Sequence, residues 1–275
     1  MMFAAPAGAP QASPAVATAQ APPSFEVATI KPSNPDKSGQ DFDVSDERVS
    51  LRNYTLRQLI RAAYGLKADR QIEGGEKWMD AQRYDIAAKI DDADYARLRT
   101  LKGTEYSQEF NRMLQELLAE RFQLQVKRKE RIMPVYALTV SKSGAKLSPS
   151  SPEHNGHSMT INNGQPDVAL SNGNMTLRND TAQMIAAGVS MDSLADALTR
   201  QRETGDRIVI NRTGMPGDYD FKMIWTTDRG EGAAADSPYP GLFTALQDQL
   251  GLKLESQKGS VEVIAIQSAM EPVID

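Results

Sequence analysis

The sequence predicts an α+β fold of two duplicated lobes, each a small sheet covered by two helices, and three observations lead there. The first is an ordered internal repeat. Thr55-Leu56, Leu59-Ile60 and Ala63-Tyr64 lead to Tyr84-Asp85-Ile86, and Ser190-Met191, Leu194-Ala195 and Leu198 lead to Tyr219-Asp220-Phe221. The step from Leu56 to Tyr84 and from Met191 to Tyr219 is 28 residues in both cases. The second is that the match continues: Leu114 to Leu118 answers Leu246 to Leu250, Phe122-Gln123-Leu124 answers Leu252-Lys253-Leu254, and Val135 to Val140 answers Val261 to Ile266. Ordered matches with small length changes mark a repeated supersecondary unit. The third is that helical and alternating apolar patterns interleave in short segments, as helices packed on small sheets require.

The elements follow in order. Phe25 to Ile30 alternates like a strand and Pro32 ends it, while Asn34 to Gln40 is rich in turn formers. Val49-Ser50-Leu51 is a short strand. Asn53 or Thr55 then caps a helix that runs to about Tyr64, with Leu56, Leu59, Ile60 and Ala63 on one face and Gly65 at its stop. Gln71-Ile72-Glu73 reads as a short strand and Tyr84 to Ile90 as a longer one. Tyr95 to Thr104 is polar and is expected to be a surface insertion. Phe110, Met113, Leu114, Leu117 and Leu118 make a second amphipathic helix. Phe122 to Val126 and Val135 to Val140 are expected to form a hairpin, with the basic run Lys127-Arg128-Lys129 and Arg131 in its solvated turn. The second lobe repeats the order: a helix near Met191 to Thr199, strands Arg207 to Asn211 and Tyr219 to Trp225, a helix Leu242 to Leu250, and a closing strand pair. The expected organisation is a leader over residues 1–24, a first lobe over 25–147, a boundary loop over 148–173 rich in Ser, Pro, Asn and Gly, and a second lobe over 174–275.

Composition narrows the class. Hydrophobic residues make up 40% and charged residues 24%, as in a soluble globular protein. A net charge of −5 argues against nucleic acid, which needs a clustered basic surface to displace counterions. There is no cysteine, which excludes disulfides, thiolate metal sites and cysteine nucleophiles. No stretch approaches the roughly 20 apolar residues that span a bilayer. The first 25 residues carry no charge and hold nine Ala and five Pro, and Ala15-Val16-Ala17 and Ala17-Thr18-Ala19 fit a signal-peptidase site. The segment is read as the remnant of an export signal or an Ala/Pro linker beyond one. The protein is therefore expected in the periplasm or outside the cell.

Four separated motifs occur in order. They are Asn53 to Leu56 through Gly74-Gly75-Glu76-Lys77-Trp78-Met79-Asp80 to Arg83-Tyr84-Asp85-Ile86; Met113 to Phe122; Arg212-Thr213-Gly214-Met215-Pro216-Gly217-Asp218-Tyr219-Asp220-Phe221; and Gln249 to Glu255. Over about residues 25 to 273 they resemble the soil-associated family of uncharacterised exported bacterial proteins. Each lobe is also similar to the short N-terminal domain of secretins and TonB-dependent receptors. These resemblances imply the fold and export, and a role in envelope protein contacts, but no chemistry. Some relatives look like fusions to beta-lactam-responsive membrane metallopeptidase sensors, which points towards signalling. This chain lacks the peptidase part.

Few residues carry chemistry. The only histidines, His154 and His157, fall in the boundary loop, with no acidic motif to complete a zinc site and no His-Glu-x-x-His. No Gly-x-Ser-x-Gly elbow appears, and Gly74-Gly75 lacks the Gly-Lys-Ser/Thr of a phosphate loop. Asp80, Asp85, Asp218 and Asp220 are the most plausible carboxylate cluster. Beside the Gly214 to Asp218 turn, hard oxygen ligands of this kind suit calcium. For the two Tyr-Asp pairs, one in each lobe, a structural role as a turn or strand start is the simpler reading. Trp78 could present an aromatic face after the Gly-Gly turn, whereas Trp225 reads as packing. The candidate binding residues are Trp78, Asp80, Arg212 and Asp218. No catalytic residue, metal ligand or cofactor is assigned, with calcium as the one cation the Asp cluster would take. The function expected is an exported binding or interaction protein, sensory in context, whose partner is an envelope protein, peptide or glycan, engaged at a sheet edge. The alternatives are a secreted hydrolase of a small ester, lactone or glycoside, supported by calcium, and a purely structural module.

Overall fold

The structure, a computed structural model, describes residues 24–36, 39–101, 103–150, 158–163, 167–171, 174–178, 181–227 and 238–274. The leader and both histidines lie outside them. Strands β1 (Phe25–Pro32), β2 (Asp41–Ser45) and β3 (Arg48–Thr55) lead into helix α1 (Leu56–Ala63). Strand β4 (Ile72–Glu73), helix α2 (Trp78–Ala81), strand β5 (Arg83–Ile90), helices α3 (Asp92–Leu98) and α4 (Gly103–Arg121) and strand β6 (Gln125–Val140) follow. Next come β7 (Ser148–Pro149), β8 (Ser158–Asn163), β9 (Asp167–Ser171), β10 (Asn174–Arg178), β11 (Thr181–Ser190) and α5 (Met191–Thr199). The chain finishes with β12 (Val209–Asn211), β13 (Asp218–Thr226), α6 (Leu242–Ala245), a π-type turn over Leu246–Leu250 and β14 (Leu252–Ser268). The class is α+β.

The first sheet has the order β1-β5-β3-β2 and the second the order β7-β13-β11-β8, and every pairing in both is antiparallel. In each, the strand bearing Tyr-Asp lies between a Pro-containing edge strand and the strand that leads into a helix. The registers agree in detail: Tyr84 faces Pro32 and Tyr219 faces Pro149. Ser33 N then donates to Arg83 O at 2.9 Å, and Ser150 N to Asp218 O at 2.9 Å. Both helices start on a hydroxyl cap. Thr55 accepts from Gln58 N in a capping box, and Ser190 accepts from Ser193 N.

A third four-stranded sheet, β12-β6-β14-β4, joins these two, and β9 and β10 pair as a separate two-stranded sheet. Here the expected hairpin is corrected. Residues 125–140 form one 16-residue strand, paired antiparallel along its length with the 17-residue β14. At about 3.3 Å per residue such a strand reaches roughly 50 Å, far enough to serve two cores. Its ends do so. Val126 packs against the first core and Leu138 lies in the second, while β14 gives Leu252 to the second core and Ile264 to the first. Packing is thus exchanged across the boundary expected at residue 148. A small cluster of Ala68, Val135, Ile208 and Val261 fills the junction. The basic run is also not a turn: Arg128 pairs with Glu262 at 2.5 Å and Arg131 with Glu73 at 2.8 Å.

Two further expectations change. The supposed insertion after Tyr95 is largely helical. Asp91 caps α3 by accepting from Ala93 N and Asp94 N, and Leu98 is buried. The boundary segment 148–173 supplies strands β7 and β8 to the second sheet.

Candidate functional site

The Tyr-Asp pairs hold β-bulges. In the first sheet the register slips between Leu51 and Tyr54, and Asn53 at the slip has φ +63°. Its N–H cannot join the ladder and instead donates to Asp85 Oδ1 at 2.9 Å, which also accepts from Ser33 Oγ at 2.6 Å. In the second sheet the slip falls between Ala186 and Val189, Gly188 has φ +64°, and its N–H donates to Asp220 Oδ1 at 2.7 Å. Each carboxylate satisfies a backbone donor that its own bulge has expelled. Each bulge also turns the chain into the helix that begins a few residues later.

The four candidate binding residues fall into two pairs, Trp78 with Asp80 and Arg212 with Asp218, in different parts of the chain. Trp78 packs half-buried against the first core. Asp80 receives Arg57 Nε at 2.5 Å and Nη2 at 3.2 Å, and the same guanidinium donates to Ile72 O and Gly74 O. The Gly-Gly-Glu-Lys-Trp-Met-Asp motif is therefore clamped to the first turn of α1. Asp218 opens β13 opposite Ser190. Arg212 is exposed, its N–H donates to Leu138 O at 2.8 Å, and among the described residues its guanidinium makes no ion pair. The turn between them is tied down by Asn211, whose Oδ1 accepts from Thr213 N and Oγ1 and whose Nδ2 donates to Asp192 Oδ1 at 3.1 Å. Asp192, like Arg57, is the second residue of its helix. No hydrogen bond or ion pair joins Trp78 or Asp80 to Arg212 or Asp218 among the described residues. Among the same residues no three His, Cys, Asp or Glu side chains converge as a metal site. Trp225 is fully buried, with Nε1 donating to Glu203 Oε1 at 3.1 Å.

A concavity that no motif announced lies beside the Asn53 bulge. It is a groove of about 730 Å³, within the roughly 300–1,000 Å³ of small-ligand sites. Pro32 to Pro35 form one wall, Gln40, Asn53 and Gln58 the second, Ala81 to Tyr84 the third, and Glu271, Pro272 and Ile274 the last. Arg83 Nη1 and Gln40 Nε2 both donate to Asn53 O, and Gln40 Nε2 also reaches Gln58 Oε1 at 2.6 Å. Asn53 Nδ2 donates to Gly39 O at 2.7 Å, and Gln82 Nε2 to Glu271 Oε1 at 3.2 Å. Tyr84 is 2% exposed and donates its hydroxyl to Gln82 Oε1. Burial, and then the Glu271 carboxylate, push the Tyr84 phenol above its usual pKa, so it remains a proton donor.

The fold and these sites come from a chain that a family model, described as a protein of unknown function (DUF3738), matches over residues 57–269. The chain belongs to the DUF3738 family. The matched span holds both Tyr-Asp pairs, both helix-start clamps and the central sheet, whereas β1, β2 and β3, which complete the first sheet, lie ahead of it. No curated protein and no solved structure gives a significant match. No described helix is long and apolar enough to cross a membrane.

Proposed function

We propose that this DUF3738 protein is an exported binding protein, built from two copies of one α+β unit, that captures a ligand in the groove beside the Asn53 bulge. The single observation that carries this reading is the groove itself. It is a concavity of about 730 Å³ on which amide, hydroxyl and guanidinium groups converge with their heads held by one another. Such preorganised polar groups over an apolar lining suit recognition. Its lining offers no nucleophile paired with a general base: Tyr84 is a bound donor, and the Asp85 carboxylate beneath Ser33 already serves the Asn53 N–H. The repeated bulge carboxylates and the matched sheet orders support the two-copy reading, and the uncharged Ala/Pro leader supports export.

Binding at a sheet edge, the mode first expected, fits less well. Strand β2 carries Asp41 and Asp43, β4 and β12 have two and three residues, and Arg121 Nη1 already occupies Ala28 O on β1. The test is native mass spectrometry of the full chain isolated from the envelope fraction of its host, beside an Ala81→Trp variant that fills the groove. A non-covalent adduct on the wild type that the variant lacks is expected. A wild type without adduct, whose melting is also unmoved by envelope extract, overturns the reading. N-terminal sequencing of the same sample checks export: a mature start near Gln20 is expected, and a cytosolic, uncleaved product refutes it.

A further inference from the structure

Resting on the groove as a binding site, the geometry points to a short, uncharged peptide segment in extended conformation as its ligand. Charge is the first reason. The lining holds one cation and one anion, and each is engaged within the protein: Arg83 on Asn53 O and Glu271 on Gln82. The two charges offset each other, so the lining carries no net charge to draw a charged ligand, and a neutral one leaves both heads in place.

Hydrogen-bonding chemistry is the second. Asn34, Gln40, Gln58 and Gln82 line the walls, and each primary amide carries donors and an acceptor. A peptide group presents one N–H and one C=O, so an amide side chain can satisfy both at once. Gln82 is exposed and spends one amide hydrogen on Glu271, leaving the second for a ligand carbonyl, while the exposed Gln40, both of whose amide hydrogens go to Asn53 O and Gln58 Oε1, keeps its own Oε1 to accept from a ligand N–H.

The apolar lining is the third reason, and it separates peptides from sugars. A sugar ring buries its C–H face on a flat, accessible aromatic surface. Tyr84, the only aromatic residue here, is 2% exposed and turned edge-on to Phe122 with ring centroids 5.3 Å apart. What faces the groove instead is Pro32, Pro35, Ala81 and Ile274, small curved surfaces suited to the side chains of an extended chain. Ile274 is 56% exposed, so apolar area remains there for a ligand side chain to cover.

The experiment titrates the full chain by heteronuclear NMR with two probe sets: blocked tetrapeptides of uncharged residues, and neutral tri- and tetrasaccharides. The expected result is that peptides shift the Gln40, Gln58 and Gln82 side-chain amide signals, that sugars do not, and that Ala81→Trp abolishes the shifts. Gln40→Ala with Gln82→Ala, two exposed positions, should weaken peptide binding at least tenfold and covers the case in which Ala81→Trp does not fold. Sugar binding at those amides without peptide binding overturns the peptide assignment while the groove stands. Peptide binding unchanged in both variants moves the site elsewhere and overturns both. No binding in either set also overturns the peptide assignment.

Discussion

At the bulge of the first sheet stands Asn53, and at the matching bulge of the second stands Gly188, with φ values of +63° and +64°. The backbone device is the same: an expelled N–H, a carboxylate from a Tyr-Asp pair to receive it, and a hydroxyl-capped helix immediately after. The side chains differ. The Asn53 side chain adds a bond to Gly39 O that Gly188 has no side chain to make, and the Asn53 backbone carbonyl accepts from Arg83 and Gln40. The geometry demanded by the fold recurs in both halves, and the groove is built from what is added to it in one. Identical backbone requirements thus mark architecture, and departures from them mark the place to look for function.

The sharpest way to break this comparison is at the turns that leave the helices for the long strands. Gln123 has φ +47° and Gly251 φ +65°. A Cβ on Gly251 would lie 1.9 Å from Gly144 O, a backbone atom that cannot swing aside. Gly251→Ala should therefore cost at least about 3 kcal/mol by urea unfolding, whereas Gln123→Gly should change stability by no more than about 1 kcal/mol, favourably if at all. Equal costs would mean that the two turns are not alike in backbone.

Next in size are the bulge carboxylates. Asp85→Ala and Asp220→Ala should each destabilise by about 1–3 kcal/mol, because each strands a partly buried backbone donor. Unchanged urea midpoints together with lost ligand binding would instead make these residues part of a site. The clamps come third. Arg57→Ala removes an ion pair whose Asp80 side is half exposed, so about 0.5–1 kcal/mol is expected, falling as salt is added. Asn211→Ala should cost a similar amount with a weaker salt dependence, and matching salt slopes would erase the distinction.

The smallest effect concerns the central sheet. The hydrogen bond from Arg131 holds the Glu73 carboxyl below the ordinary glutamate range against an opposing desolvation, with smaller help from the charges of Arg131 and Lys129. A depressed folded pKa gives stability that is fully present above the unfolded value of about 4.3 and is lost as pH falls through the folded value. Glu73→Gln should therefore flatten the acid side of the melting profile below about pH 4.5 and leave neutral pH nearly unchanged. A variant whose acid limb matches the wild type would show that this pair contributes nothing.

Helix starts, helix faces and both Tyr-Asp strands were legible because their signals are local: a hydroxyl cap, a 3.6-residue apolar period, a strand alternation. The continuous β6 was not. Lys127 to Arg131 crosses the gap between two cores, where a strand needs no apolar face, and the partners of its charges, Glu73 and Glu262, are far away in sequence. Helix α3 did carry a local signal, Asp91 followed by acidic residues in its first turn, hidden by the polarity of what came after. Of the candidate site residues, Asp80 was legible as part of a motif but not as the partner of Arg57. The groove was invisible because its walls come from four separate stretches between Pro32 and Ile274, none a motif in itself.

The shared ribbon of β6 and β14 also has a consequence for the order in which the protein can be made. Ile264 belongs to the first core, and Gln71 Nε2 donates to Glu262 O across 191 residues of chain. A chain growing from its N-terminus presents α1, α4 and β4 long before the strand that closes over them exists. The first core thus waits, with apolar surface uncovered, until β14 has been made, and its last contacts close a loop of 191 residues. Domain-by-domain folding during synthesis is denied to this half. Both halves need β14 to complete their cores, and neither closes before it is made.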